Sequence, residues 1–538
     1  MPNEPAANST ASPAPPHTVE LRRDVTVWGS YMWGFADVGA DTFVALGLVF
    51  AITQGAAPLA FALAGLVYVL IGLAYTELAS AYPVAGGGQY YALRGLGDFW
   101  GVISGSALLL DYTIDIALFS YFCSTYMNHF FPSITEWTMA IGPFPRVHVG
   151  LMIQTLLVIA VLVWLNLRGM RLASLLNEIV GVVIIFTECS IIIMGFLFAW
   201  RPELVSTQWI SAWQNFDSRR FLYGASLAII SFVGLESISQ AAQETRRPAT
   251  IVPRTSLGLI FTVFLFAVSL STLTLGVVHW EVFQDPHNVG KSVALIASHL
   301  PWIGRFAEGF TAALAALVLL ISANSGIMSA SRLTFSMSQF DFISRWFEKV
   351  HPVYHTPVRT VVIFAAIGGL QVVMASLTEN AIDTLANLYA FGATLGYTLV
   401  MISLVRLRLV DPYTPRPYRV PLNVALKTHR GEVHFPILGV VGLLAIAGVL
   451  LVVLYTHSIA RIAGPFWVLF CFCYYAWYRR RQKLPILRSV PRDWETLQKE
   501  VLTSAEEYDL LEQYTTALMV RDRARLREKN HAEKPRSS

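Results

Sequence analysis

Residues 33–47 read WGFADVGADTFVALG and lie inside a long apolar run. They place two aspartates, Asp37 and Asp41, around Gly39, near the depth at which a membrane-crossing helix is farthest from water. A carboxylate is expensive to bury there, so an ionisable residue at that depth marks a functional site by default. The small residues beside the acids also predict a break in the helix. A bilayer tolerates such a break only where the backbone lines a cavity or is buried in protein. The stretch therefore predicts one half of a substrate site in a transporter, formed by Asp37, Val38, Gly39, Ala40 and Asp41.

The surrounding chain agrees. Its 538 residues are 55% hydrophobic and 14% charged, with a mean hydropathy of +0.53. Soluble domains carry about a quarter charged residues, so composition alone indicates a membrane protein. The apolar runs are long, which favours helices over short alternating barrel strands. Cys123, Cys189, Cys471 and Cys473 all fall in apolar runs without metal-ligand spacing. They read as small core residues rather than a disulfide framework or a metal site. The Pro/Ala/Ser-rich start has no apolar core of a signal peptide, so residues 1–24 read as a disordered cytoplasmic tail.

Twelve spans are predicted, at roughly 28–52, 58–80, 98–127, 148–166, 176–199, 221–243, 255–278, 306–331, 360–377, 384–405, 435–456 and 462–479. With the N-terminus inside, the inner segments before the C-terminal tail hold 18 Lys or Arg and the outer loops 7. That bias predicts a multi-pass protein of the cell membrane with both termini cytoplasmic. Arg479, Arg480, Arg481 and Lys483 form a basic cluster suited to anionic lipid headgroups. Beyond it, Leu497, Val501, Leu510, Leu511 and Leu518 recur at helical spacing in a charged tail, residues 483–538, which reads as a solvated cytoplasmic helix.

The sixth span repeats the pattern of the first. Ser231-Phe232-Val233-Gly234-Leu235-Glu236 interrupts an apolar run with small residues and an acid. Interrupted segments five spans apart are the mark of an inverted repeat with its substrate site at the breaks. The layout predicted is a twelve-helix transporter domain over 25–482. Its first repeat spans 28–199, its second 221–405, and two extra helices span 435–482.

Several motifs carry a resemblance. Gly39-Ala40-Asp41-Thr42-Phe43 stands where amino acid permeases carry a glycine-rich break. Pro83-Val84-Ala85-Gly86-Gly87-Gly88-Gln89-Tyr90 is similar to their loop after span two. Ser231 to Glu236, with Gln243-Glu244-Thr245-Arg246-Arg247-Pro248 and Ile251-Val252-Pro253-Arg254, resembles their span-six signature. Ser331-Arg332-Leu333 with His351-Pro352 and Thr356-Pro357, and Arg416-Pro417-Tyr418-Arg419-Val420-Pro421, resemble later loop motifs. Together, over about residues 28–425, they resemble the amino acid–polyamine–organocation superfamily of secondary transporters. The resemblance implies an all-α, LeuT-type fold of five-plus-five inverted repeats, and alternating access between spans 1, 2, 6, 7 and spans 3, 4, 8, 9. It implies a small-molecule substrate, an amino acid or amine, with a coupling cation, H⁺ first and Na⁺ second. It implies no cofactor, no nucleic acid and no enzyme activity.

The chain departs from that pattern in its acids. Asp41 replaces a glycine, and Asp111-Tyr112-Thr113-Ile114-Asp115 puts two acids one turn apart on span three. Glu188 lies near the middle of span five, and Glu236 in span six. No Lys or Arg lies deep in any span. Such a set favours protons, metal cations or amines over anions. Two branches compete: amino acid and polyamine permeases, and the potassium/proton symporters that Asp37, Asp111-Tyr112 and Gly234-Leu235-Glu236 resemble. Val233 and Asp115 depart from the potassium branch.

The substrate-binding residues expected are Asp37, Val38, Gly39, Ala40, Asp41, Asp111, Tyr112, Ser231, Phe232 and Gly234. Those expected to couple an ion or proton are Asp37, Asp111, Asp115, Glu188 and Glu236. Each also has a plainer reading: Asp37 and Asp41 as caps of a helix break, Asp111, Asp115 and Glu188 as hydrogen-bonded structural acids, Tyr112 and Phe232 as packing. Glu77 and Glu244 read as anchors of the inner face, towards Arg94 or Arg246. An intramembrane aspartyl protease is disfavoured because Val38-Gly39-Ala40-Asp41 only approaches its signature, and no zinc-protease or nucleotide motif is present. A transporter-like nutrient sensor and a channel are the other rivals, and nothing in the sequence fixes an oligomeric state.

Overall fold

A computed structural model describes residues 26–168, 171–240, 242, 245–349, 357–378, 380–428 and 431–532. Its helices begin with α1 (Val27–Thr53), α2 (Ala57–Ala81), α3 (Gly88–Leu96), α4 (Asp98–Met127), α5 (Ser133–Glu136), α6 (Val149–Arg168) and α7 (Arg171–Met194). The middle of the chain gives α8 (Pro202–Gln214), α9 (Ser218–Ala228), α10 (Glu236–Gln240), α11 (Pro248–Val277), α12 (Pro286–Val289), α13 (Ser292–Ser298) and α14 (Gly304–Gln339). The rest are α15 (Val358–Ser376), α16 (Ala381–Val410), α17 (Ile437–Thr456), α18 (Ser458–Arg481), α19 (Trp494–Ser504) and α20 (Tyr508–Ala532). Strand is confined, among the described residues, to two antiparallel hairpins, β1 (Met139–Ile141) with β2 (Phe144–Val147) and β3 (Asn423–Thr428) with β4 (Gly431–Pro436).

Eleven helical stretches among the described residues are long and apolar enough to cross a membrane. The first, Val27–Ala81, turns at Gln54–Ala56 and contains both α1 and α2. The protein is thus an all-α membrane protein of about twelve crossing helices, as its hydropathy predicts. Burial separates centre from edge: 94% of the apolar window of α4 is inside the protein, against 17% for α18. Around α4, each of the first four spans packs against the span five places later. α1 meets α9 and the turn after it, α2 meets α11, α4 meets α14, and α6 meets α15.

Span one differs from expectation. α1 runs unbroken through Asp37, Gly39 and Asp41. A lone glycine costs a helix only about 1 kcal/mol relative to alanine, and Gly39 packs against the Phe35 ring one turn before it. The aspartates are therefore mid-helix side chains, not caps. Span six does break: α9 ends at Ala228, a 3₁₀ turn covers Ile229–Phe232, and α10 restarts at Glu236. Gly234 makes the break, with φ at +109°, a conformation that side-chain-bearing residues rarely adopt.

The face that carries the end of α2, α3 and the C-terminal helices is tied by buried ion pairs. Glu77, read as an anchor towards Arg94 or Arg246, instead meets Arg408 at 2.5 Å and Arg416 at 3.2 Å, and it also accepts the Val420 N–H. The end of α16 and the chain after it run beside Glu77, while Arg94 turns to Asp411 at 2.7 Å. Glu244 lies outside the described residues. On the opposite face, Gln208 of α8 donates to the Leu275 and Val278 carbonyls and accepts the Trp280 N–H. The α1–α2 turn presses on the same residue, because a Cβ on Gly55 would stand 2.2 Å from the Gln208 oxygen.

Two further expectations are corrected. The C-terminal helices are not simply solvated: Leu502, Tyr514 and Leu518 are buried because the apolar stripe of α19 and α20 closes against itself and Tyr413, and Gln498 is buried against Ala81 and Arg94. Nor are all four cysteines core residues. Cys123 is buried, but Cys473 is exposed on α18, which turns most of its surface outward at the edge of the bundle.

Two predictions follow from this packing. Gly86 has φ of +101°, and a Cβ there would stand 2.3 Å from Ser336 Oγ. Gly86→Ala should destabilise the purified protein by about 1–3 kcal/mol. Gly142→Ala, at φ +57° with open space around it, should cost only about 1 kcal/mol, and thermal melts in detergent compare the two. The Asp411 carboxyl is pushed up by burial, but Arg94 and Arg416 outweigh this and hold it below its usual value. The unfolded chain then binds that proton more readily, so the pair's stabilisation is complete above about pH 4 and fades as pH falls further. Asp411→Asn should melt lower at neutral pH and lose less than the wild type on going from pH 5 to pH 3.

Candidate transport site

The acid-bearing turns of α1 lie against the break in span six. A Cβ on Gly234 would stand 3.1 Å from Asp37 Oδ2 and 3.1 Å from a methyl of Val38, so only a glycine lets the two backbones approach this closely. Asp37 accepts a hydrogen bond from Ser322 of α14 at 3.3 Å. Glu236, the first residue of α10, accepts from Tyr397 of α16 at 2.7 Å and from the Gly234 N–H at 3.2 Å. On α4, Asp111 and Asp115 face two more glycines. A Cβ on Gly392 of α16 would come 3.0 Å from the Asp111 nitrogen, and one on Gly326 of α14 would come 2.7 Å from the Asp115 Cβ.

Five carboxyl groups thus converge from three segments, Asp37 and Asp41 from α1, Asp111 and Asp115 from α4, and Glu236 from α10. All five are buried. They act on one another electrostatically: Asp37 with Glu236, Asp41 with Asp115, and Asp111 with both Asp115 and Glu236. Both oxygens of Asp41, both of Asp111 and one of Asp115 receive no well-formed hydrogen bond from an N–H or hydroxyl among the described residues. Among the described residues no Lys or Arg forms an ion pair with any of the five. Buried charges are stable only when paired, and like charges at close range oppose each other. Such a cluster stands only if protons or other cations accompany it.

The other expected residues fall into place around this cluster or away from it. Tyr112 accepts from Gln240 Nε2 at 3.0 Å, and Gln240 Oε1 accepts from the Gly86 N–H at 2.9 Å. A polar chain thereby runs from α4 to the loop before α3. Ser231 is buried with an unpartnered hydroxyl, and Phe232 stacks on Tyr68 at 5.2 Å. Val38, Gly39 and Ala40 are interior residues of a continuous helix, so α1 does not offer the free N–H groups that a broken span would. Glu188 is buried in α7 but apart from the cluster, with Tyr31 and Cys189 as its electrostatic neighbours. Ser322, Tyr397 and Gln240 carry no local signal in the sequence. They are found only through contacts with residues far along the chain.

The amino acid permease family profile matches residues 27–477, and the protein belongs to that family. It is 24% identical over 416 residues to the branched-chain amino acid permease BcaP of Bacillus subtilis, covering 74% of this chain and 84% of the relative. It is 23% identical to the methylthioribose transporter of the same organism, covering 71% and 80% of the two chains. It is 24% identical to the low-affinity putrescine importer PlaP of Escherichia coli, covering 78% and 87%. The protein is therefore a membrane transporter and not an enzyme.

Tyr397→Phe should lower stability by about 1–3 kcal/mol, because it leaves a buried carboxyl short of a donor. Ser231→Ala, which removes an unpartnered hydroxyl, should stay within about 0.5 kcal/mol of the wild type in the same melts.

Proposed function

We propose that the protein is a secondary active transporter that carries amino acids or related organic amines across the cell membrane. It selects the amine cation through its buried acids and is coupled to protons. The observation that carries this reading is the cluster of five buried carboxyl groups at the break in span six, with no basic partner among the described residues. An ammonium group gains charge-assisted hydrogen bonds from oxygens such as those of Asp41 and Asp111. An isolated carboxylate meets repulsion there. The Gly234 N–H, a donor that could greet a carboxylate, is already taken by Glu236. The names of the relatives, which include an amino acid permease and a putrescine importer, fit an amine-bearing substrate.

The mechanism in this reading is alternating access. Spans 1, 2, 6 and 7 move against spans 3, 4, 8 and 9, and the cluster faces each side in turn. Protons neutralise the acids when the amine is gone. Both termini are cytoplasmic, so the face with α3 and the C-terminal helices is the inner one. The potassium/proton reading stands second, on the one observation that these buried carboxylate oxygens also suit an inorganic cation.

Ligand-dependent thermal stabilisation of the detergent-purified protein separates the two, because a ligand that binds the folded state raises its melting temperature. The panel holds the twenty amino acids, putrescine, spermidine, K⁺ and Na⁺ at pH 5.5 and 7.5. A shift with an amine is expected, and a shift with K⁺ alone would overturn the reading. In proteoliposomes, Asp37→Asn and Asp111→Asn should each cut uptake of the stabilising amine at least about tenfold, the loss of roughly 1.4 kcal/mol or more of binding. Protein levels in the membrane should be unchanged.

A further inference from the structure

The C-terminal segment makes two separate sets of contacts on the inner face. The first is with α4 and α14. Arg492 meets Asp98, the first residue of α4, at 2.5 Å and donates to the Phe340 carbonyl at the end of α14 at 3.3 Å. Ser489 Oγ accepts the Asp98 N–H at 3.1 Å, and Arg479 also meets Asp98 at 2.6 Å. The second set is with α2, α3 and α11. Gln498 of α19 donates to the Ala81 carbonyl at the end of α2 at 3.0 Å and accepts from Arg94 of α3 at 2.7 Å. Glu507 accepts the Ala249 N–H at 3.0 Å, in the first turn of α11, where a helix presents its unpaired N–H groups to an acid. Trp494 sits between the two sets, against Tyr90 and Phe340.

α2 and α11 are spans 2 and 7, whereas α4 and α14 are spans 3 and 8. These are the groups that alternating access must separate on the inner side, and the inference rests on that reading of the mechanism. We propose that α19 and α20 are a releasable clasp across the inner mouth: docked, they bind the two moving groups to each other, and detached from one group, they let the mouth open. The two ends differ in strength. At the α4 end, the Arg492 guanidinium meets the buried Asp98 carboxylate, a contact that is costly to break. At the α2/α11 end, the contacts include a neutral amide and an acid on a helix terminus. Release therefore occurs at α2 and α11, while Arg492 and Asp98 keep the tail tethered. The same opening frees the contacts beneath the acids, in which Gly86 meets Gln240 and Ser336 Oγ donates to Gln89.

The test is amide hydrogen exchange followed by mass spectrometry on the full chain in lipid nanodiscs, without substrate. The double variant Gln498→Ala/Glu507→Ala should speed exchange at least threefold in residues 83–89 and 236–240, while residues 98–104 and 488–493 exchange as in the wild type. A chain ending at Asp493 keeps Arg492 and Asp98 and should show the same pattern. It supplies the answer if the double variant does not fold. Faster exchange confined to 494–532, with 83–89 and 236–240 unchanged, would overturn the clasp. This readout needs no transport, so its failure leaves the amine reading standing. Loss of uptake in the aspartate variants would not touch the clasp.

Discussion

Burying carboxyl groups without bases constrains this molecule more than any other feature. Asp37, Asp41, Asp111, Asp115 and Glu236 share one interior, and several of their oxygens receive no well-formed hydrogen bond among the described residues. Unlike charges would settle such a cluster into a permanent ion pair. Here, in the proposed reading, charge balance comes from cations that arrive and leave. The contrast lies within the same protein: Glu77, Asp98 and Asp411, on the face that carries α3 and the C-terminal helices, each have one or two arginines at hand. Acids with arginines hold that face together, and acids without them form the proposed cation site.

The packing around the cluster serves the same end. Gly234, Gly326 and Gly392 remove side chains where α10, α14 and α16 approach α1 and α4. That close approach brings the carboxyl groups of three segments within electrostatic reach of one another. It also explains why the break sits in span six. A left-handed residue is needed at Gly234 to start α10 with Glu236 turned back on its own backbone, whereas Gly39 needs only room for a ring.

The spans, the acids and the interruption of span six were legible in the sequence because each is a local signal: an apolar run, a charge within it, a cluster of small residues. The continuity of α1 was not. Gly39 and Gly234 look alike as letters and differ only in the backbone angle that their neighbours impose. Ser322 and Tyr397 were also hidden, since they reach Asp37 and Glu236 across 285 and 161 positions. Glu77 reads in the sequence as an anchor towards Arg94 or Arg246, and only the path of α16 and the chain after it shows that Arg408 and Arg416 are its partners. An apolar stripe on a charged tail helix reads the same whether the helix is solvated or docked.

The role of Gln208 has a mechanical consequence. It joins the α1–α2 turn to the end of α11 by two donated bonds, one accepted bond and a close backbone contact. Three crossing helices are thus riveted at the end opposite α3 and the C-terminal helices. Joined at that end, α1, α2 and α11 form one stiff piece, so a pull on Ala81 or Ala249 at the far end is carried along the whole length of the helices to the α1–α2 turn.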